Sequence, residues 1–240
     1  MNRRRVLVTR PQPGAARTAE RLLALGFDPV VMPLTETVAL PHHAPEGLPD
    51  LVVATSPQAF RHLIKPAFVA LSKIPVSVTG KATATAAREA GFLEIAETGG
   101  NVSRLIASLS PVLVPEMKVL YLAGRIRRPE LERHLAAKGT VLSVLEVYDT
   151  LSVSYSTDKI AALSADGVLD AVLLTSVNCV AGLAAIAAKA SPREPFENAR
   201  LICLSQRIAE AAKRYFLNPI HAAAFPSEDA LLECLAAAVR

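Results

Sequence analysis

The sequence predicts an α/β protein built from two similar parallel-sheet domains with a cleft between them. Short apolar runs alternate along the chain with segments whose apolar residues recur every three or four positions. Such alternation of strands and helices is typical of right-handed crossovers and of parallel sheets covered by helices on both faces. A long internal repeat is the second observation. Its unit is too long for a solenoid repeat and therefore indicates a duplicated module.

The clearest part of the repeat is the similarity between residues 5–37 and residues 118–150. Both segments have the pattern strand, helix, strand. A proline, Pro13 or Pro129, opens each helix at a position where its missing N–H costs nothing. A glycine follows each helix, as is common at helix C-termini. The repeat continues where residues 50–56 match 170–176, so the chain consists of two related halves.

The strands can be placed from the apolar runs and the turn residues between them. They are predicted at 5–9, 29–40, 50–54, 75–79, 93–97, 118–122, 140–153, 169–174, 200–204 and 220–223. The two long strands, 29–40 and 140–153, have matching positions in the two halves. We expect them to pair as a two-stranded ladder that joins the domains.

Composition indicates an ordinary globular protein with a small excess of positive charge. The hydrophobic fraction of 51% and the charged fraction of 20% exclude a disordered chain. The net charge of +4 is spread along the sequence, which suits a small polyanionic ligand. Nucleic-acid binding is disfavoured, because the chain has neither a recognisable motif nor many aromatic residues for stacking.

Cysteine usage and hydropathy favour a cytoplasmic protein with no membrane segment. The three cysteines have no CxxC spacing, so neither a disulfide framework nor a zinc site is indicated. Residues 3–5 are arginines, but the apolar run after them is too short for a secretory signal. The uncharged stretch 171–188 approaches the length of a membrane span, yet polar residues interrupt it and a buried strand feeding a helix explains it better.

Motifs for cofactors and metals are missing from the sequence. It contains no GxGxxG and no GxxxxGK, so nothing supports a dinucleotide or P-loop site. His42 and His43 are adjacent and would point apart on an extended chain, which argues against a metal site. His62, His134 and His221 are isolated and are expected to be solvated or packed.

Small polar residues are concentrated in the turns that follow the predicted strands. These turns are Thr9–Pro11, Thr55–Pro57, Thr79–Thr83, Ala123–Arg125, Thr175–Asn178 and Ser205–Arg207. In parallel α/β sheets they lie at the carboxyl edge of the strands, which is the usual ligand side. Free N–H groups and the positive end of the helix dipole favour anions there. The alternative is that the serines and threonines are ordinary helix N-caps.

A series of short motifs occurs in a fixed order along nearly the whole chain. They are Val6–Pro11, Thr55–Ala59, Gly80–Ala84, Val119–Gly124, Val147-Tyr148 and 170–176. By their order and spacing the chain resembles the uroporphyrinogen-III synthase family. The resemblance implies two α/β domains joined by a two-stranded ladder. Domain one would comprise 1–36 and 152–240, and domain two 37–151.

The resemblance also implies an activity. Members of this family close hydroxymethylbilane to uroporphyrinogen III, with loss of water and inversion of ring D through a spiro intermediate, and they need no cofactor. Tyr148 matches the family's tyrosine that is proposed as the proton donor. The alternative for Tyr148 is a strand tyrosine that packs in the ladder.

The expected substrate-binding residues follow from the turns and the resemblance together. Thr83 matches a family threonine, and Ser56 and Ser176 match the paired serines of the two Thr-Ser turns. The substrate carries acetate and propionate groups, which suit the remaining candidates Arg10, Lys81, Arg125, Asn178 and Arg207. Two positions depart from the family pattern: Ile208 replaces a threonine, and Ala123 stands where many members have arginine.

Partners are expected to be few. The substrate would be hydroxymethylbilane, with a transient contact to hydroxymethylbilane synthase, and the protein is expected to be a cytoplasmic monomer. One alternative is a non-catalytic module of the same fold that binds a tetrapyrrole or another polycarboxylate. Another is a sugar- or nucleotide-binding sensor built from two α/β lobes.

Overall fold

The structure is a computed structural model that describes residues 3–165, 167–189 and 194–239. Its strands are β1 (Arg5–Val8), β2 (Asp28–Val31), β3 (Thr35–Ala39), β4 (Leu51–Ala54), β5 (Val76–Val78), β6 (Ile95–Glu97), β7 (Lys118–Gly124), β8 (Val141–Ser152), β9 (Ala171–Leu174), β10 (Arg200–Cys203) and β11 (Ile220–Ala222). Its α-helices are α1 (Gly14–Ala24), α2 (Pro57–Arg61), α3 (Lys81–Glu89), α4 (Val102–Leu109), α5 (Glu130–Ala137), α6 (Thr157–Ala165), α7 (Val177–Lys189), α8 (Glu194–Glu197), α9 (Gln206–Ala212) and α10 (Glu228–Ala238). A 3₁₀ helix covers Lys65–Lys73.

The chain divides into two compact units. Unit one comprises residues 1–36 and 151–240, and unit two comprises residues 37–150. The chain passes from unit one to unit two within β3 and returns within β8. Each unit therefore has its own sheet and its own hydrophobic core.

The sheet of unit one has the strand order β11-β10-β9-β1-β2, and its strands pair in parallel. Alternate residues of each strand point to opposite faces. On one face Leu7 and Val172 pack with residues of α6, α7 and α9. On the other face Val6 and Leu173 pack with residues of α1 and α10. The sheet is thus covered by helices on both faces, as the sequence predicts.

The sheet of unit two has the order β3-β8-β7-β4-β5-β6, and β8, β7, β4, β5 and β6 pair in parallel. Val52 and Leu120 pack with residues of α2 and α3 on one face. Val53 and Val119 pack with residues of α4 and α5 on the other. Burying both faces explains why the central strands are continuous apolar runs in the sequence.

The two sheets share one strand order. Setting β3 aside, β8-β7-β4-β5-β6 in unit two corresponds to β2-β1-β9-β10-β11 in unit one. The matches are those that the sequence repeat pairs, such as β1 with β7 and β4 with β9. Residues 51–60 and 171–180 also have the same burial class at every position. These observations support the duplication that the sequence predicts.

The long strand predicted at 29–40 is wrong in one respect, because the structure divides it into β2 and β3. The Met32 N–H donates to the Val8 carbonyl and the Leu34 N–H to the Thr9 carbonyl, so this part of the chain follows β1. Pro33 between them has no N–H to donate. The chain then joins the other sheet, where β3 lies beside β8 and the Leu40 N–H donates to the Val147 carbonyl. The other predicted strand boundaries lie within two residues of those observed.

The helix boundaries in the repeated segment follow the predicted signals. Pro13 and Pro129 occupy the N-cap positions of α1 and α5. Gly26 and Gly139, which follow these helices, have φ of 85° and 73°. That left-handed conformation costs glycine nothing and other residues about 1–2 kcal/mol. Of the helices in the described ranges, none has the length and apolar character that a membrane crossing requires.

Candidate active site

The predicted site residues of unit two follow the carboxyl ends of its parallel strands or lie beside them. Ser56 follows β4, Lys81 and Thr83 follow β5, and Arg125 follows β7. Tyr148 lies on β8 and pairs with the last residue of β7. Parallel pairing brings these ends to one edge of the sheet, so the residues form one candidate site in unit two.

A β-bulge sets the direction of the Tyr148 side chain. Ala123 pairs with Glu146, but the next residue, Gly124, pairs with Tyr148, so the register of β7 and β8 shifts by one residue. A bulge of this kind re-aims a side chain. Val147 and Tyr148 are neighbours in a strand, yet both contact the same hydrophobic cluster, the one shared with α2 and α3.

The ring of Tyr148 lies directly against Gly124. A Cβ atom added to Gly124 would be 2.6 Å from Cζ and 2.9 Å from Oη of the tyrosine. The Arg125 N–H donates to the Tyr148 carbonyl at 2.9 Å, which fixes the backbone at the same point. Only glycine leaves room for the ring here, and this explains why β7 ends in that residue.

Two phenols meet the Thr-Ser turn that follows β4. The Tyr121 and Thr55 hydroxyls are 3.1 Å apart, and the Ser56 hydroxyl is close enough to Tyr148 to affect the pKa of its phenol. Burial raises the pKa of Tyr148, and the Ser56 hydroxyl offsets part of that effect. Burial also raises the pKa of Tyr121. Both phenols are therefore protonated, neutral groups near neutral pH.

His62 is a member of this cluster that the sequence analysis did not select. Its ring lies against that of Tyr148, with centroids 5.9 Å apart and an interplanar angle of 26°. The His62 Nε2 atom is 2.9 Å from the Thr37 hydroxyl. Burial lowers the pKa of His62, and the charge of Arg61 lowers it further. The sequence predicts a solvated or packed histidine, and His62 is packed. The side chain against which it packs is Tyr148, the predicted catalytic residue.

Ser56 and Ser176 are helix N-caps in both copies of the repeat. The Ser56 Oγ accepts from the Gln58 N–H at 3.2 Å, and the Ser176 Oγ accepts from the Cys179 N–H at 3.1 Å. The alternative that these serines cap helices is thus observed. Ser56 has the additional contact with Tyr148, whereas Ser176 donates to the Cys179 sulfur.

Arg125 is paired with carboxylates at the edge of unit two. Its Nε lies 3.4 Å from Glu146 and its guanidinium 3.2 Å from Asp149. Arg127 contacts Glu146 and Glu132, both at 2.7 Å, and its hydrogen bond lowers the pKa of Glu146. The charge predicted to bind a substrate carboxylate therefore has protein partners in this structure.

Arg10 in unit one is paired in a similar way. Its guanidinium lies 3.3 Å from Glu228 and 3.4 Å from the Thr18 hydroxyl, and Thr18 also donates to Glu228. The side chain also lies over Gly14 at the start of α1, where an added Cβ would be 2.7 Å from the arginine Nε. These contacts tie α1 to α10. A substrate-binding role for Arg10 stays a prediction.

The remaining candidates differ in exposure. Lys81 is exposed at the first turn of α3, whereas Thr83 is buried and its N–H donates to the Gly80 carbonyl at 2.9 Å. In unit one, Asn178 is half-buried near the start of α7 and Arg207 is exposed near the start of α9. Their binding roles also stay predictions.

The two departures from the family pattern fall at core positions. Ala123 is 2% exposed among residues of the cluster shared with α4 and α5, and Ile208 is 3% exposed in the cluster shared with α7. Neither side chain lies on the exposed surface. As for metals, the ranges that the structure describes contain no group of three or more His, Cys, Asp or Glu side chains placed to hold an ion.

The sequence signals for Thr55, Tyr121 and His62 were incomplete. Thr55 belongs to one of the two Thr-Ser turns, whereas Tyr121 lies in an apolar run, a pattern that indicates a core position. His62 lies 86 positions from Tyr148, and no pattern in the sequence brings them together.

Comparison with protein families gives a match over most of the chain. The family model described as "Uroporphyrinogen-III synthase HemD" matches residues 16–233. The "Porphyrin biosynthesis protein HemD" of Ruminiclostridium josui is 25% identical over 229 residues, which cover 89% of this chain and 44% of that protein. The chain thus spans less than half the length of that relative.

Solved structures with this fold include two described as uroporphyrinogen-III synthase or synthetase. The synthetase from Helicobacter pylori is 22% identical, with a TM-score of 0.67 and full coverage of both chains. A mutant synthase from the extremely thermophilic bacterium Thermus thermophilus is 20% identical, with a TM-score of 0.53 and 98% coverage of both chains. At these identities the likeness establishes the fold.

The contact between Gly124 and Tyr148 predicts a coupled effect on stability. Gly124→Ala should lower the free energy of unfolding by about 1–3 kcal/mol, because the new methyl group overlaps the tyrosine ring. In a Tyr148→Ala background the same substitution should cost at least about 0.5 kcal/mol less. Urea denaturation of the four proteins measures this coupling.

The matched control for this cycle is Gly80→Ala. An added Cβ at Gly80 would be 3.4 Å from the Gly100 Cα and far less crowded than at Gly124. Its cost should be equal in the presence and absence of the Tyr148 ring. Additive costs for Gly124→Ala and Tyr148→Ala would contradict the observed packing.

The lowered pKa of His62 predicts a loss of stability in acid. The His62 imidazole binds a proton less tightly in the folded protein than in the unfolded chain. In the unfolded chain the pKa of a histidine is about 6.5. The stabilising contribution of neutral His62 is therefore present above that value and is lost as the pH falls through the lowered folded pKa. The stability advantage of the wild type over His62→Gln should shrink between about pH 7.5 and pH 5. Urea denaturation at several pH values tests this, and a constant difference would contradict it.

Proposed function

The chain belongs to the uroporphyrinogen-III synthase family, and from that premise we propose that it cyclises hydroxymethylbilane to uroporphyrinogen III. The reaction releases water and inverts ring D through a spiro intermediate. It makes the protein a lyase of tetrapyrrole biosynthesis. The observation that carries the proposal is the half-buried phenol of Tyr148, which pairs with the last residue of β7 in a chain whose residues 16–233 match the family model.

The chemistry demands a proton at the start of the reaction. Hydroxide is a poor leaving group, so a donor close to the hydroxymethyl oxygen lets it depart as water. The electron-rich pyrrole then stabilises the resulting azafulvene cation, and the substituted α-carbon of ring D attacks it to form the spiro intermediate. The older bond from that carbon to the methylene group of ring C then breaks, and the cation left on ring C is captured by the free α-carbon of ring D. The α-carbon of ring D that forms the final bond loses its proton, which balances the proton given at the start.

Tyr148 suits the role of this donor. A phenol, whose ordinary pKa is about 10, holds its proton near neutral pH. The Ser56 hydroxyl lowers the pKa of Tyr148 against the opposing effect of burial, and it would stabilise the phenolate that remains. General-acid help of this kind contributes on the order of 10²–10⁴-fold to rate. The larger task is orientation, because free hydroxymethylbilane closes spontaneously to the uninverted isomer. Holding ring D for attack through the spiro intermediate selects isomer III.

On binding, the carboxylates of the substrate would replace the protein carboxylates as partners of the candidate arginines. Arg125 is 56% exposed in its ion pairs with Glu146 and Asp149. Exposed pairs of this kind contribute only about 0.2–1 kcal/mol, so a polyanion can replace them at small cost. Lys81 needs no such exchange, because no ion pair holds it within the described residues. We assign carboxylate binding to these two residues and to Arg10 and Arg207.

Hydrogen bonding is assigned to the uncharged candidates. Ser56 and Ser176 would bind through their hydroxyls and through the free N–H groups of the turns they cap. Thr83 and Asn178 belong to corresponding turns after β5 and β9. This assignment is supported by their places at the carboxyl ends of the strands.

The wider setting follows from the proposed reaction. The substrate would come from hydroxymethylbilane synthase, and because hydroxymethylbilane closes spontaneously, a transient contact between the two enzymes would protect it. We further propose a cytoplasmic monomer with domain one at 1–36 and 152–240 and domain two at 37–151. No observation favours a second function, because the departures at Ala123 and Ile208 lie in the core.

The proposal predicts the isomer that forms in a coupled assay. Hydroxymethylbilane is generated enzymatically, this protein is added, and the products are oxidised and separated as uroporphyrins I and III. Isomer III should dominate. If folded protein yields only isomer I at the spontaneous rate, the activity is absent and a polycarboxylate-binding module of the same fold takes its place.

Removal of one hydroxyl should separate catalysis from binding. Tyr148→Phe is expected to lower kcat by about 10²-fold, because the proton donor is lost, while KM changes little. Initial rates of isomer III formation measure both constants. An unchanged kcat would exclude Tyr148 as the donor and leave it the packing role that strand tyrosines often have.

A further inference from the structure

The short helix α2 contacts Tyr148 from both of its ends. Ser56 at its N-cap lies near enough to the phenol to lower its pKa, and His62 at its C-cap lies against the phenol ring. The helix is only five residues long, so both neighbours of the phenol belong to one short element. The two caps of α2 thus place a hydroxyl group and an aromatic ring beside the Tyr148 side chain of β8.

His62 is itself held by two further contacts. Its backbone N–H donates to the Gln58 carbonyl at 3.1 Å, which ends the helix. Its Nε2 atom is 2.9 Å from the Thr37 hydroxyl on β3. The ring is half-buried, and the hydrogen bond to Thr37 fixes the orientation in which it meets Tyr148. An immobile imidazole restricts the rotation of the tyrosine beside it.

The phenol ring is also confined where it meets the backbone. Its atoms lie so close to Gly124 that a single methyl group there would overlap them. Gly124 and His62 together therefore define where the ring can lie. The hydroxyl at the end of the ring then has one preferred position, beside Ser56.

We propose that His62 is a positioning residue for the proposed reaction: with Thr37 as its anchor, it holds the Tyr148 ring so that the phenol points at the departing hydroxyl of the substrate. This inference rests on the proposed function and adds a residue and a role to it. His62 does not supply the proton. Its Nε2 is engaged by Thr37, and its neutral form predominates near neutral pH.

Three substitutions separate the ring of His62 from its hydrogen bond. His62→Gln keeps an amide that can reach Thr37 but removes the ring, whereas His62→Phe keeps a ring and removes the hydrogen bond. Thr37→Val removes the same hydrogen bond from the other side. We expect His62→Gln to lower kcat for isomer III about tenfold with KM within about twofold, since a small misplacement of a catalytic group is costly. His62→Phe and Thr37→Val should show equal, smaller losses.

The decisive comparison uses Tyr148→Phe as the background. If His62 acts through the tyrosine hydroxyl, His62→Gln should lower kcat no further once that hydroxyl is absent. An equal loss in both backgrounds would overturn the proposal, because His62 would then act independently of Tyr148. An unchanged kcat in His62→Gln alone would overturn it as well.

The matched control is His134→Gln in the same unit. His134 is also half-buried, and its Nε2 lies 3.1 Å from the Ser110 hydroxyl, but within the described part of the chain it stacks on no tyrosine ring. It should leave kcat and KM unchanged. A loss equal to that of His62→Gln would mean that any histidine of this kind supports activity through stability alone.

A spectroscopic measurement tests the positioning without reference to activity. The chain has four tyrosines, so a protein labelled with ¹³C at the phenol carbon gives four signals, and Tyr148→Phe identifies the one from Tyr148. His62→Gln should shift that signal, and His134→Gln should leave it in place. An unmoved signal would overturn the proposal. Should the wild type form only isomer I, the proposed function fails, and this measurement still decides whether His62 holds Tyr148.

Discussion

The candidate site depends on the pairing of β7 with β8 and on the bulge within it. Side chains alternate in a strand, so Val147 and Tyr148 should face opposite sides of the sheet. Because Gly124 pairs with Tyr148 directly after Ala123 pairs with Glu146, the tyrosine turns toward the face that Val147 already occupies. That face carries α2, with Ser56 and His62 at its ends. Without the extra residue the phenol would lie on the other side of the sheet.

Much of the fold could be predicted because it is specified locally. Apolar runs mark strands buried on both faces, and proline and glycine mark the helix ends. The repeat then predicts which strands correspond, and the common strand order of the two sheets agrees with it. The predicted strand at 29–40 is too long, because apolar residues continue through Met32–Leu34 while the partner strand changes. The strand with which those residues pair is determined by the tertiary structure, so local propensity cannot predict it.

The site could be predicted only in part, for a related reason. The turns and Tyr148 are visible in the sequence because strand ends and motifs are local features. The contacts that define their chemistry join distant residues, such as His62 with Tyr148 and Arg10 with Glu228. The arginines illustrate the consequence. Sequence reasoning assigns them to a ligand, whereas in the structure carboxylates of the same chain hold Arg10 and Arg125.

The two copies of the repeat use the same position for different purposes. In unit one the position that matches His62 is Gly182, and an added Cβ there would be 3.0 Å from Leu34, which fills the space. In unit two His62 supplies a ring, and the tyrosine that contacts it lies in β8, the strand that matches β2 and its continuation. The position that matches Tyr148 in unit one is Thr35, which is buried. Both copies of the repeat thus have the N-capping serine of a Thr-Ser turn. At the positions of His62 and Tyr148, however, unit one has Gly182 and Thr35, so these positions provide a phenol and an aromatic neighbour in unit two alone. The chemistry that we propose therefore belongs to unit two, where the glycine of the bulge, the histidine of α2 and the tyrosine of β8 occur together.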